Sequence, residues 1–166
     1  MSAPDAPAAA RAVVVTVSTR AAAGVYDDTA GPAVAEVLAG AGFEVGTPVV
    51  VPDGRAEVAD ALVAACARAE LVVTSGGTGL HPRDLTPEAT RDVLEREAPG
   101  FAEAMRAASL AVTPMGMLSR GVCGVRGSTL VLNLPGSPKG AVENLRAVLD
   151  VLPHAVDQLR GGDHPR

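Results

Sequence analysis

A three-layer α/β/α fold, with a mostly parallel sheet and one antiparallel hairpin strand, is the class this sequence predicts. Three observations carry it. Short β-branched runs alternate with stretches of helical spacing, the pattern of successive βαβ units. The strand runs are continuously apolar, as strands covered on both faces are. Two late runs, 121–126 and 129–134, are separated by Gly127-Ser128 alone, which reads as a hairpin. The length of 166 residues suits one domain built on one core.

The elements follow in order. Residues 12–18 form the first strand, and the polar segment 19–29 reads as a loop. Gly31-Pro32 opens an apolar helix over 32–41, ended by Gly42. Residues 43–51 form a second strand, which Pro48 weakens or places at a sheet edge because proline has no N–H for the ladder. Pro52-Asp53-Gly54 is a turn. Val58, Leu62, Val63 and Cys66 give 55–69 helical spacing, and 71–74 is the third strand. Thr86 caps the next helix, with Pro87 at its first position and Glu88 beside it. Pro99-Gly100 breaks that helix, and 101–112 form another. A loop over 113–120 leads to the hairpin. Pro135-Gly136 is a turn, Ser137 and Pro138 start a helix running toward Asp150, and Pro153 opens a last short helix ending at Leu159. The domain is expected over 11–160, between a disordered arm at 1–10 and a disordered tail at 161–166.

Composition excludes several functions. Tyr26, Phe43 and Phe101 are the complete aromatic set, so a nucleobase strand finds few stacking platforms. The net charge of -5 does not suit a phosphate backbone either. No apolar run is long enough to cross a bilayer, and the start has neither the basic nor the apolar region of a signal peptide. Neither nucleic acid nor membrane is expected as a partner, and a cytoplasmic location is. Cys66 and Cys123 read as small buried hydrophobes, and no Cys/His cluster has zinc spacing.

The chemistry concentrates in Thr74-Ser75-Gly76-Gly77-Thr78-Gly79, directly after the third strand. A glycine turn between a strand and a helix can hold an anion on backbone N–H groups. It also suits a plain tight turn, and the glycines alone do not decide. Leu80 and His81 follow Gly79, so this is not a Walker A loop. The third glycine of the dinucleotide fingerprint falls on Pro82, so it is not that motif. Asp53 and Asp84 each lie in a loop just past a strand. Singly, each is an ordinary turn residue. Facing one crevice, they make a Mg²⁺ site, since that ion takes one or two carboxylates with substrate phosphates. Arg83 and Lys139, the sole lysine, are candidates to balance phosphate charge, with solvated surface charge as the default for each. His81 has no partner in the sequence, and His154, at a helix start, reads as structural. In parallel sheets ligands bind beyond the strand carboxyl ends, where Asp53, 75–79 and 135–137 all fall.

These residues resemble a family. The run TSGGTGLHPRDLTPEATRDVLEREAPGFAEAM, then TPMGMLSR, CGVRGSTLVLNLPGSPKG and LPHAVDQLR, is similar to the molybdopterin adenylyltransferases of the MogA/MoaB type and to gephyrin-like N-terminal domains. The resemblance covers nearly the whole chain after the arm, with several motifs in the right order. It implies transfer of AMP from ATP to the terminal phosphate of molybdopterin, with Mg²⁺ and release of pyrophosphate. It puts catalysis and the metal on Asp53 and Asp84. It puts the nucleotide on Ser75, Gly76, Gly77, Thr78, Gly79, Pro135, Gly136 and Ser137, and Ser119 toward the pterin; Ser18, Arg83 and Lys139 are further substrate-binding candidates. It further implies a homotrimer and hand-over of product to a molybdenum insertase. The family commonly reads Ser-Asp-Arg where this chain has Ser18-Thr19-Arg20, which leaves the role of that acid open. The alternatives are a non-catalytic molybdopterin carrier and a scaffold domain. The presence of both Asp53 and Asp84 favours the enzyme.

Overall fold

A computed structural model describes residues 8–162. The arm and tail expectations therefore lie outside the described residues, apart from 8–10 and 161–162. Ala10 is tied to the domain: its carbonyl accepts from Glu44 N at 2.9 Å, and it packs against the core.

Among the described residues the sheet has seven strands. β1 (Arg11–Val17) is flanked on one side by β4 (Leu71–Ser75) and then β7 (Thr129–Leu134), all parallel. Its other side carries two short parallel strands, β2 (Glu44–Val45) and β3 (Val49–Val51). They are the expected edge strand in two pieces, interrupted where Pro48 cannot donate to the ladder. The hairpin forms as expected: β6 (Cys123–Arg126) pairs antiparallel with β7 through Gly127, whose φ is 57°. β5 (Arg96–Glu97) adds a second antiparallel pair beyond β6.

Helices cover both faces, and alternation along the strands decides which residue meets which layer. Ala12, Val14, Leu71, Val73, Leu130 and Leu132 point to one face. There they meet α2 (Ala30–Gly40), α5 (Pro99–Val112), α6 (Pro138–Val148) and α7 (Leu152–Leu159). Val13, Val15, Val17, Val72 and Val131 point to the other, against α3 (Arg55–Cys66) and α4 (Thr86–Val93). The core is mostly Val, Leu and Ala, and each buried branched side chain contributes about 1.5–3 kcal/mol.

Several local expectations are corrected. The segment read as a loop after β1 begins with a short helix, α1 (Thr19–Ala22), capped by Ser18 Oγ accepting from Ala21 N. The helix expected to run to Pro99 stops at Val93, because Glu95 N and Ala98 N donate to Val125 O and Cys123 O along β6. Thr86 does not cap α4. Its hydroxyl donates instead to Gly76 O at 3.0 Å, and its N–H to Gly77 O at 3.1 Å. Residues 113–120 contain a 3-10 turn at Pro114–Leu118.

A buried polar network stiffens the sheet beneath the glycine loop. Asn133 Nδ2 donates to Thr74 Oγ1 and Thr90 Oγ1, both at 3.0 Å, and its Oδ1 accepts from Val122 N at 3.1 Å. Thr90 Oγ1 donates on to Thr86 O at 2.7 Å. Among the described residues no buried side-chain N or O lacks a partner, so the network is fully satisfied.

Candidate active site

The carboxyl ends of β1, β3, β4 and β7 lie along one edge of the sheet because the four strands are parallel. From β1 the chain turns to one neighbour, β3, and returns to the other, β4, so the strand order reverses there. A cavity of about 400 Å³ opens over that point. Thr16 to Thr19 line it from β1, Asp53 from beyond β3, and Ser75 to Gly77 from β4. His81, Arg83 and Asp84 close one side, and Gly136 reaches in from beyond β7. Both candidate carboxylates and Ser18 are thus brought to one cavity.

Asp53 is tightly held. Its Oδ2 accepts from Thr19 Oγ1 at 2.8 Å and from Thr19 N at 3.1 Å, while its own N–H donates to Thr19 Oγ1 at 3.0 Å. Asp84 sits in a turn closed by its N–H donating to His81 O at 2.8 Å, and its Oδ2 accepts from His81 N at 3.3 Å. His81 Nδ1 accepts from Arg83 N at 3.1 Å, so the histidine works inside this turn. One or two carboxylates with phosphate oxygens is the usual Mg²⁺ donor set, and Asp53 and Asp84 fit it. Among the described residues there is no cluster of three or more His, Cys, Asp or Glu side chains suited to a metal.

The glycine loop is shaped by close approach. Gly76 and Gly77 have φ of 103° and 67°, and a Cβ on either would strike Val17 O or Thr86 Oγ1. Gly76 N donates to Leu134 O at 3.1 Å. That N–H is spent on the fold, which corrects the expected cradle of 76–79. Among the described residues the N–H groups of Gly77, Thr78 and Gly79 donate to no protein acceptor. The Pro135–Ser137 turn packs against the loop, with Gly76 Cα 3.4 Å from where a Cβ of Gly136 would lie. Ser75 Oγ donates to Pro135 O at 2.8 Å, and Ser137 Oγ accepts from Gly140 N at 3.1 Å. Both hydroxyls therefore hold turns.

The remaining candidates, Lys139 apart, gather at a separate cavity. A second cavity, about 260 Å³, is lined by Thr78, Gly79, Ser119, Pro135 and Ser137, with Met115 and Leu118. The glycine loop is thus a partition between two cavities. Lys139 lines neither: its side chain is 82 % exposed and lies 3.9 Å from Glu143. Both cysteines are free and away from the first cavity, and burial pushes the Cys123 thiol up to about 12, so neither is a nucleophile there.

Sequence reasoning missed four residues. Thr19 clamps Asp53. Tyr26, the sole tyrosine, lines the first cavity with its OH 2.8 Å from Ser18 Oγ. Asp28 lines it too, accepting from Thr16 Oγ1 at 2.8 Å and Gly31 N at 3.0 Å. Arg120 braces the loop: Nε donates to Gly79 O at 2.8 Å, Nη2 to Asp84 O at 2.6 Å, and Nη1 to Glu88. Hydrogen bonding to Glu88 raises the Arg120 pKa, and Arg120 holds the Glu88 carboxyl below its ordinary value. Of the four, Thr19 carried a signal, as the departure from the family's usual acid, and Tyr26 another, as a lone aromatic in a polar segment.

Residues 13–154 match the family described as probable molybdopterin binding domain. The chain belongs to that family. Two relatives of this molybdopterin-binding domain are both named molybdopterin adenylyltransferase. The one from Helicobacter pylori strain J99 is 41% identical over 155 residues, covering 89% of this chain and 86% of the relative. The one from Escherichia coli K12 is 44% identical over 142 residues, covering 82% and 72%. The crystal structure of the molybdopterin biosynthesis enzyme MoaB from Thermus thermophilus superposes with a TM-score of 0.86 at 53% identity, covering 92% of this chain and 97% of that one. Among the described residues of this molybdopterin-binding domain, no helix is long and apolar enough to cross a membrane.

Proposed function

We propose that this chain is a molybdopterin adenylyltransferase of molybdenum cofactor biosynthesis, moving AMP from ATP onto the terminal phosphate of molybdopterin. The observation that carries the reading is the partition: one cavity with two carboxylates and a second, more apolar one meet at a loop with unspent N–H donors. The names of the relatives support the same chemistry. ATP takes the Asp53/Asp84 cavity, and the pterin takes the side bearing Ser119 and Leu118.

The nucleophile is a phosphate monoester oxygen of molybdopterin. With a second pKa of about 6, by analogy with phosphoserine, it is largely dianionic near neutral pH and needs no general base. It attacks the α-phosphorus of ATP in line. A new P–O–P bond forms, the bond from the α-phosphorus to the bridging oxygen breaks, and pyrophosphate leaves. Repulsion between the two anions is the main obstacle, so catalysis is positioning and charge neutralisation. Asp53 and Asp84 would hold Mg²⁺, which supplies positive charge to the phosphates when bound. Gly77, Thr78 and Gly79 donate N–H groups to phosphate oxygens, and Arg83 adds a cation at the mouth. The protein works in the cytoplasm as a homotrimer and hands its product to a molybdenum insertase.

Separate variants test the two carboxylates. Asp84→Asn is expected to abolish ATP-dependent adenylylation with an unchanged melting temperature. Asp53→Ala is expected to keep pterin binding and stop turnover. Wild-type rates in either variant would remove that carboxylate from the site.

A further inference from the structure

Asp53 and Thr19 are 34 residues apart in sequence, yet three hydrogen bonds join them. We infer that Thr19 is a positioning residue that presents Asp53 to the metal. The inference rests on the reading of Asp53 as a metal ligand.

The bonding is reciprocal. The Thr19 hydroxyl donates to Asp53 Oδ2 and accepts from Asp53 N, and Thr19 N donates to the same Oδ2. Oδ2 carries two donors, while Oδ1 accepts no hydrogen bond among the described residues. The carboxylate plane is therefore fixed through one oxygen, and the other keeps its lone pairs for a cation. The frame behind Thr19 is rigid: Ser18 caps α1 through Ala21 N, and Ser18 N donates to Val51 O at 2.9 Å, two residues before Asp53. A loop aspartate without such a clamp samples several rotamers. It must give up that freedom when it binds, at about 0.5–1.5 kcal/mol per side chain ordered. Thr19 removes that cost in advance, and its neutral hydroxyl adds no negative charge to a cavity meant for phosphates.

The test is metal binding rather than turnover alone. Mn²⁺ is titrated into wild type, Thr19→Val, Thr19→Ala, Thr19→Ser and Asp53→Asn, each with bound ATP, and free Mn²⁺ is read by electron paramagnetic resonance. Losing a hydrogen bond to a charged group weakens binding by about tenfold or more. Thr19→Val and Thr19→Ala should therefore bind Mn²⁺ about tenfold more weakly. Thr19→Ser should stay within about twofold of wild type. In turnover, the half-saturating Mg²⁺ concentration should rise in Thr19→Val while kcat at saturating Mg²⁺ stays within about threefold, whereas a generally damaged site loses kcat. If Asp53→Asn weakens Mn²⁺ binding and Thr19→Val and Thr19→Ala do not, Thr19 has no positioning role and the reading of Asp53 stands. If Asp53→Asn binds Mn²⁺ like wild type, the reading of Asp53 fails and the role of Thr19 with it.

Discussion

Gly77 and Gly79 stand two residues apart in one loop and have different reasons to be glycine. At Gly77 the backbone has φ of 67° and a Cβ would strike Thr86 Oγ1. Gly77→Ala should lower stability by at least about 1–2 kcal/mol, the cost of a side chain in left-handed backbone. Gly79 has no positive φ, and within reach of its Cβ lies only Asp84 Oδ2, at 2.9 Å. Gly79→Ala should therefore cost less than about 0.5 kcal/mol of stability, as substitutions away from packed contacts do. By displacing the Asp84 carboxylate it should still reduce adenylyl transfer by about tenfold or more. Urea denaturation and initial rates, measured on both variants, check the contrast. Equal loss of stability in the two would refute it. The sequence made the glycines visible and left this distinction out, because it depends on what side chain lies above each Cα.

Two braces set the loop, and each can be cut. Asn133 links β4, β7, α4 and the approach to β6 through three hydrogen bonds. Asn133→Ala leaves two buried threonine hydroxyls and the N–H of Val122 short of partners, which should cost about 2–4 kcal/mol in urea denaturation. A loss under about 1 kcal/mol would mean the network relaxes. Arg120 pairs with Glu88 and holds the carbonyls of Gly79 and Asp84. Because Arg120 lowers the Glu88 pKa in the folded state, this pair stabilises the protein above the unfolded glutamate pKa. The contribution fades as pH falls through the lower, folded pKa. The melting-temperature gap between wild type and Glu88→Gln should accordingly be largest near neutral pH and close in acid. A gap independent of pH would contradict the pairing.

The elements that the sequence hid are those set by partners distant in the chain. Residues 94–98 contain good helix formers, yet hydrogen bonding to β6 draws them out of the helix, with β5 at Arg96–Glu97. Thr86 has the right type for a cap, but the helix starts at Thr86 itself, with Leu85 in the cap position, and the Thr86 hydroxyl donates to Gly76 O. α1 has only four residues, too few to show a period.

At the scale of the whole molecule, much was legible. The alternation of β-branched runs and helical stretches predicted parallel strands between two helical layers, and Gly127-Ser128 predicted the antiparallel turn. Parallel strands then force Asp53, the glycine loop and Gly136 to one edge, so their convergence followed from topology. The division of that edge into two cavities did not. It arises because different parts of the loop line different cavities, Ser75 to Gly77 the one with Asp53, and Thr78 and Gly79, with Pro135 and Ser137, the other. The exposed Lys139 beside Glu143 has no such place, whatever its rarity in the sequence suggested.

The most direct measurement mixes the full chain with molybdopterin, ATP and Mg²⁺ and follows pyrophosphate and pterin together. Expected is one pyrophosphate for each adenylylated molybdopterin formed, with neither appearing for Asp84→Asn. Tight pterin binding by the wild-type protein, with no pyrophosphate and no adenylylated product, would contradict the assignment and make the chain a carrier.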